Sequence, residues 1–400
     1  MAEIERNAVT DTTDVAIIGG GAVGSSIAYF LASNPDFTGR IVVLEPDPTY
    51  RFASSALSLS SIRLQFSTPT NIELSAFGIG FLREANERLA VDGEPANVGY
   101  IERPYMFLAT AEGRPVLESN HRLQTGMGAK IELLEPPALE EKFPWMSTDG
   151  IVLGSLGVKD EGWFDGYGLL QAFRRKARSL GVEYVAQAAV ALERKGRRIE
   201  AVKLADGTRL ACGTAVNAAG PSAGKVAALA GVHLPVEPRR RCVFVFDCRE
   251  KLPNCPLLID ASGAFFRPEG RFFIGGISPP PEREPAVPDF EVDYSEWDEL
   301  VWPPLANRVP ALQAVKIVNA WAGHYDYNTF DHNGILGPHP EIDNFLFANG
   351  FSGHGIQQSP ATGRGISELI AYGRYRSLDL TPFGYSRIPE NRPVKELNVV

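Results

Sequence analysis

Apolar residues gather near the start of the chain in a short run, Val15-Ala-Ile-Ile18. Three glycines follow, then Ile27, Phe30 and Leu31 at helical spacing. This pattern predicts strand, turn, helix. Asn34-Pro35 and Thr38-Gly39 mark a loop, and Arg40-Ile-Val-Val-Leu-Glu45 predicts a second short strand that closes a βαβ unit. From Ser54 to Ala90 no strand pattern appears, while Asn71 to Leu89 predicts a helix covering one side of that unit. Between Tyr100 and Val158 short strands dominate, Tyr105 to Thr110 being the clearest, with turns at Glu112-Gly113 and Pro136-Pro137. Gly166 to Ser179 predicts a helix, and Val182 to Val190 and Val202 to Leu210 predict strands bracketing the turn Lys195-Gly196-Arg197. Thr214 to Gly220 followed by Ser222 to Ala230 repeats strand, turn, helix. Arg241 to Phe246, Ala264 to Arg267 and Arg271 to Gly275 predict strands of a second lobe. Ser278 to Pro288, rich in proline and charge, reads as an exposed loop. Asn344 to Gly350 predicts a last strand, running through Gly353-His-Gly355 into a helix from Thr362 to Tyr375. No repeat at solenoid spacing is visible.

Composition narrows the function classes. At 400 residues, 44% hydrophobic and 22% charged, the chain is long enough for two or three lobes with a substantial core. Lys plus Arg total 39 against 48 Asp plus Glu, and the net charge of −9 has the wrong sign for binding nucleic acid. No window approaches 18 consecutive apolar residues, so no transmembrane segment is expected. Met1 to Asp14 lacks a signal-peptide core, which points to a cytoplasmic protein. Cys212, Cys242, Cys248 and Cys255 show no CxxC pair and read as buried thiols. His121, His233, His332 and His339 lack metal spacing and read as structural.

Gly19-x-Gly21-x-x-Gly24 sits directly after a strand and opens a helix, where a pyrophosphate fingerprint must sit. The first glycine allows the turn, the second lets backbone N–H groups approach phosphate, and the third packs helix on strand. Glu45 ends the second strand, placed to accept from ribose hydroxyls. FAD and NAD share this fingerprint. The chain leaves and re-enters its nucleotide fold twice. The second re-entry, Phe351-Ser-Gly-His-Gly-Ile-Gln-Gln358, offers a helix N-terminus to the negative edge of a reduced flavin, so FAD is preferred over NAD.

The order of Gly19 to Glu45, Asn217-Ala-Ala-Gly220 and Gly350-Phe-Ser-Gly-His-Gly355 resembles the D-amino-acid oxidase, sarcosine oxidase and glycine oxidase superfamily. Ser60 to Phe66, Glu161 to Asp165, Trp321 to Phe330 and Phe351 to Gln358 resemble a narrower group within it. These are the FAD-dependent oxidoreductase domain-containing proteins whose mitochondrial members assist assembly of respiratory complex I. The resemblance implies an α/β, two-domain flavoprotein: a glutathione-reductase-like FAD-binding Rossmann domain (1–95, 163–232 and 335–400) and an antiparallel-sheet substrate domain (96–162 and 233–334). It implies FAD held by Gly19, Gly21, Gly24, Glu45, Ser54, Ser55, Val190, Gly220, Gly353, His354, Gly355 and Ile356, with Arg63, Tyr325, His354 and Gln357 on the substrate side.

The implied activity is oxidation of the C–N bond of a small secondary amine or N-substituted amino acid, by hydride transfer to flavin N5. Electrons would pass to O2, a quinone or an electron-transfer protein; the alternative is an assembly role beside a respiratory-complex partner. Three departures from the superfamily bear on chemistry. Gln357 stands where sarcosine oxidases hold the substrate carboxylate with lysine, and Phe273 stands where their oxygen-activating lysine lies, which favours a dehydrogenase. No cysteine occupies the covalent-attachment position near His324, so FAD is expected to be non-covalent, with a histidyl link at His324 chemically open. Structural readings stand beside these: Arg63 as a surface salt-bridge arginine, Tyr325 and Tyr327 as core aromatics, and Arg267 as a weaker pocket residue. Arg174-Arg175-Lys176, Arg194 to Arg198 and Arg239-Arg240-Arg241 read as solvated faces.

Overall fold

The computed structural model describes residues 12–280, 283, 284 and 289–397; the expectations for the N-terminal segment and for most of the tip of the 278–288 loop lie outside the described residues. Thr12–Ile18 is the central strand of a parallel sheet. It pairs with Ile41–Leu44 on one side and Arg209–Asn217 on the other, in register Val15↔Ile41 and Val15↔Thr214. Glu183–Val185 and Ile342–Asn349 extend the parallel sheet at its two sides. Strands buried on both faces read as continuous apolar runs, which is why Ile41–Leu44 shows no polar alternation. The turn around Lys195-Gly196-Arg197 joins Ala189–Lys195 to Arg198–Leu204, an antiparallel hairpin against Arg209–Asn217. The two strands expected at Val182 to Val190 and Val202 to Leu210 therefore each straddle a break, at Gln187 and at the turn Asp206-Gly207.

The helix Ala22–Ala32 is buried on nearly every side. It lies between Gly166–Ser179 and the C-terminal helix Gly355–Tyr372. A Cβ on Gly363 would meet the Ser26 Oγ at 2.1 Å, so the two helices approach at backbone range. The C-terminal helix begins at Gly355, seven residues before the expected Thr362, and runs through Pro360. Its first turns are buried and carry no amphipathic signal; Pro360, the sixth residue, lacks the N–H that would bond the Ile356 carbonyl, and Ser359 Oγ donates to that carbonyl instead at 2.9 Å.

The second sheet runs Val315–Asn328, Val236–Cys248, Phe272–Gly276, Phe265–Glu269, Leu257–Ile259, Tyr105–Ala109, Leu153–Gly157, Ile131–Leu134. All neighbours are antiparallel except Leu257–Ile259 with Tyr105–Ala109. One face packs Phe244, Phe246, Phe266 and Phe273 against Trp297 and Leu305. Removing such side chains from water is worth about 1.5–3 kcal/mol each. A small third sheet pairs Gly162–Trp163 with Ser61–Ile62 and Ile101–Glu102, so the segment from Ser54 to Ala90 does contain a short strand. The tail is tucked in: Glu396 accepts from Ser67 and Asn71 and is 3% exposed. All four cysteines are buried and unpaired.

Candidate active site

A cavity of about 720 Å3 runs from the first glycine turn to the second sheet. At the first end Gly19 has φ +105°, and a Cβ there would meet the Ala218 carbonyl oxygen at 2.3 Å. A Cβ on Gly24 would lie 1.9 Å from the Gly19 carbonyl oxygen, whereas one on Gly21 would have only Ser55 Oγ nearby, at 3.5 Å. Two glycines thus close the strand–helix joint and the third leaves a cradle open to the cavity. The helix that follows has no side-chain cap, so its first N–H groups face this cradle. Ala22 N–H donates to Ser55 Oγ at 3.0 Å. Glu45 accepts from Gly20 N–H at 2.9 Å and Asp47 N–H at 3.0 Å, and burial pushes its pKa up.

At the other end, Arg63 is 2% exposed and lines the cavity. Its guanidinium lies 4.5 Å from the Phe66 ring centre and donates to Tyr105 Oη at 3.4 Å and His354 Nε2 at 3.1 Å. A guanidinium only donates, so His354 Nε2 carries a lone pair there and the ring is neutral. Burial and the adjacent Arg63 charge hold the His354 pKa well below its ordinary value. Glu161, fully buried, accepts from Leu64 N–H at 2.8 Å and Gln65 Nε2 at 2.9 Å and fixes the segment after Arg63. Its carboxyl is raised by burial to about 7. Asp326 accepts from Gly350 N–H at 2.8 Å and Phe351 N–H at 3.2 Å, holding the turn that delivers His354; burial raises it to about 6. Gly353, at φ +99°, leaves room for Tyr325, whose ring a Cβ would meet at 2.4 Å.

Of the residues expected from the sequence, Gly19, Gly21, Glu45, Ser54, Ser55, Gly220, Gly353, His354, Gly355 and Ile356 line this cavity together with Arg63, Tyr325 and Gln357. Gly24 lies behind the turn as packing. Val190 is not part of the lining: it is 46% exposed on an edge strand, while its neighbours Ala188 and Ala189 line the cavity. Gln357 lines the cavity too, and its side-chain oxygen accepts from the Arg63 backbone N–H at 3.1 Å and Ser75 Oγ at 3.3 Å, so it also positions the Arg63 segment. Tyr327 lies against His332 outside the lining, and Arg267 gives its guanidinium to the Leu59 and Pro268 carbonyls and the Glu269 carboxylate over Trp163. Phe273 stacks on Phe246 in the core on the sheet's other face. The reading of Arg239 to Arg241 as a solvated face fails at Arg241, which is 6% exposed, lines the cavity and lies 4.8 Å from the Tyr325 ring centre. Strand alternation was the available signal: three consecutive arginines in a strand cannot all face solvent.

The residues fit a dinucleotide bearing a flat ring system: backbone donors and an acid at one end, and at the other an uncapped helix start with aromatic and cationic walls. Fold and site together define a two-domain, dinucleotide-dependent oxidoreductase. The chain belongs to the FAD-dependent oxidoreductase family, whose model, described as "FAD dependent oxidoreductase", matches residues 14–369. FAD-dependent oxidoreductase domain-containing protein 1 of Xenopus laevis is 42% identical, over 98% of this chain and 85% of its own length. Mitochondrial sarcosine dehydrogenase of Mus musculus is 26% identical over 96% of this chain and 43% of its own. Among solved structures, L-proline dehydrogenase from P. horikoshii superposes with a TM-score of 0.84 at 24% identity, covering 96% of this chain and all of its own. Among the described residues no helix is long and apolar enough to cross a membrane, and no group of three metal-ligating side chains occurs.

Proposed function

We propose that the protein oxidises the C–N bond of a small secondary amine or N-substituted amino acid to an imine, as a dehydrogenase. The observation that carries this is the far end of the cavity, where the buried Arg63, the half-buried Tyr325 and the buried, neutral His354 converge on apolar walls. Bound FAD would supply the two-electron acceptor. The chain's own residues orient and desolvate. Arg63, fixed by Gln357, Tyr105 and His354, presents a cation to a substrate carboxylate. The apolar walls strip water from the amine and favour its neutral, reactive form. His354 Nε2 is engaged by Arg63, so it orients the guanidinium and takes no proton.

The preference for a dehydrogenase rests on the lining, whose one lysine, Lys225, lies beyond the glycine-turn end, near Ala219 and Ser222. Non-covalent FAD is supported by His324, whose Nε2 donates to the Asp289 carbonyl at 2.6 Å while its ring stacks on Phe290. The test is an anaerobic flavin-bleaching screen against N-methyl, N-carboxyalkyl and primary amino acids, followed by reoxidation in air. Bleaching by a secondary amine with slow reoxidation is expected. Fast reoxidation would make the protein an oxidase, and a flavin that dithionite reduces but no amine bleaches would turn attention to the assembly role.

A further inference from the structure

Residues 394–397 run beside the start of the helix Pro69–Arg88, and Glu396 within them is 3% exposed. Its Oε1 accepts from Ser67 N–H at 2.8 Å and Ser67 Oγ at 2.7 Å, and its Oε2 accepts from Asn71 Nδ2 at 2.9 Å. The backbone on either side is pinned as well. Val394 N–H donates to the Asp331 carboxylate at 3.0 Å, which is paired with the buried Arg387, and Leu397 N–H donates to Ser67 Oγ at 2.8 Å. Burying a carboxylate is costly unless donors meet it, and here the donors belong to the segment that follows Arg63.

Among the described residues, two routes lead from Glu396 to Arg63. Along the chain, Ser67 follows Phe66, whose ring centre lies 4.5 Å from the Arg63 guanidinium and 5.0 Å, edge to face, from the His354 ring. Across space, Asn71 Oδ1 accepts from Gln358 Nε2 at 3.0 Å, and the adjacent Gln357 accepts from Arg63 N–H at 3.1 Å. Asn71 and Gln358 are each 1% exposed. A carboxylate only accepts, so Glu396 turns the Asn71 amide nitrogen towards itself, and the Asn71 oxygen then faces Gln358 as its acceptor. One acid thus sets the polarity of a buried amide chain that ends beside the residue holding Arg63.

We propose that Glu396 is a positioning residue for Arg63: its carboxylate fixes Ser67 and the Asn71 amide, and through them the backbone and guanidinium that meet a substrate carboxylate. The inference rests on the reading of Arg63 as a carboxylate anchor and adds to the site a residue more than three hundred positions away in sequence. Glu396 is absent from the cavity lining, so it acts through Ser67 and Asn71, and loss of its carboxylate should leave the flavin in place. Charge and position make opposite predictions. Removing an anion strengthens the binding of another anion nearby, whereas releasing the Arg63 segment weakens it.

The test titrates the full, FAD-loaded chain with acetate, reading half-saturation from flavin absorbance, and follows backbone hydrogen exchange at Arg63 and Leu64. Glu396→Ala is expected to keep its flavin-to-protein ratio and to need about tenfold more acetate, the scale of one lost hydrogen bond to a charged group. Glu396→Gln keeps an oxygen for Ser67 and should weaken acetate by about threefold or less. Exchange at Arg63 and Leu64 N–H should quicken in Glu396→Ala. Acetate binding that is unchanged or tighter in Glu396→Ala, a glutamine variant no better than alanine, or faster exchange confined to residues 67–71 overturns the proposal. If Glu396→Ala fails to fold, Ser67→Ala takes its place in both measurements, with the same signs expected and the same results overturning. If acetate leaves the flavin spectrum of the unaltered protein unchanged, the carboxylate-anchor reading falls, and exchange at Arg63 alone decides the positioning role. Normal acetate titration with unchanged exchange does the reverse.

Discussion

The two ends of the cavity are built by different means. Around Gly19, Gly21 and Gly24 the contacts come from backbone N–H groups and a helix start, and what matters is the absence of side chains. Around Arg63, Arg241, Tyr325 and His354 the contacts come from side chains, each held by a neighbour: Gln357 and Glu161 behind the Arg63 segment, Glu284 on Arg241, Asp326 behind the His354 turn. The difference teaches that the first end is limited by backbone space, most tightly at Gly19 and Gly24, while the second depends on charges whose supports lie far away in sequence.

The sharpest way to break that contrast is at the glycines. Gly24→Ala puts a methyl 1.9 Å from the Gly19 carbonyl oxygen and should cost about 3 kcal/mol or more with loss of flavin. Gly21→Ala, with free space around its Cβ, should fold normally and only weaken FAD. Thermal melts and flavin-to-protein ratios check both, and identical behaviour would show that the two glycines have one role.

The next effect belongs to a buried acid outside the cavity lining, Glu296 of the short helix Tyr294–Glu296. Glu296 is raised from 4.5 to about 7, chiefly by burial, and its Oε1 has no hydrogen-bond partner among the described residues. Between those values the folded protein keeps a proton that the unfolded chain has released. Stability contributed by this group is therefore present below about pH 4.5 and lost as pH rises through about 7. Glu296→Gln should flatten that decline by up to about 3 kcal/mol, measured by denaturation at pH 5 and pH 8. A parallel pH slope in the variant would assign the decline elsewhere.

Smaller still, Gln357→Leu leaves the Arg63 N–H and Ser75 hydroxyl without their shared acceptor. It should reduce kcat/KM about tenfold with flavin retained. Val190→Lys, at an exposed edge position, should change neither flavin content nor stability by more than about 0.5 kcal/mol.

The same contrast explains what the chain revealed before folding. The nucleotide end was legible because Gly19 to Glu45 is one local βαβ unit whose spacing carries its own geometry. At the substrate end, the resemblance supplied Arg63, Tyr325 and His354, but not their supports. Glu161, Asp326 and Glu284 act across separations that no local pattern encodes, and each looks like an ordinary acid in the sequence. Arg241 was hidden in a basic cluster, and the C-terminal helix start was hidden because complete burial removes amphipathic periodicity. Val190 shows the limit of position along the chain alone: its neighbour Ala189 lines the cavity, while alternation turns the Val190 side chain to solvent.

The most direct test of the division of labour is Arg63→Lys, assayed for flavin-to-protein ratio and for the anaerobic rate of flavin bleaching by a secondary amino acid. The account predicts a full complement of FAD and bleaching slowed by about a hundredfold, because lysine keeps the charge but loses the planar fork and its bond to His354. Loss of FAD together with activity, or bleaching at the unaltered rate, would contradict it.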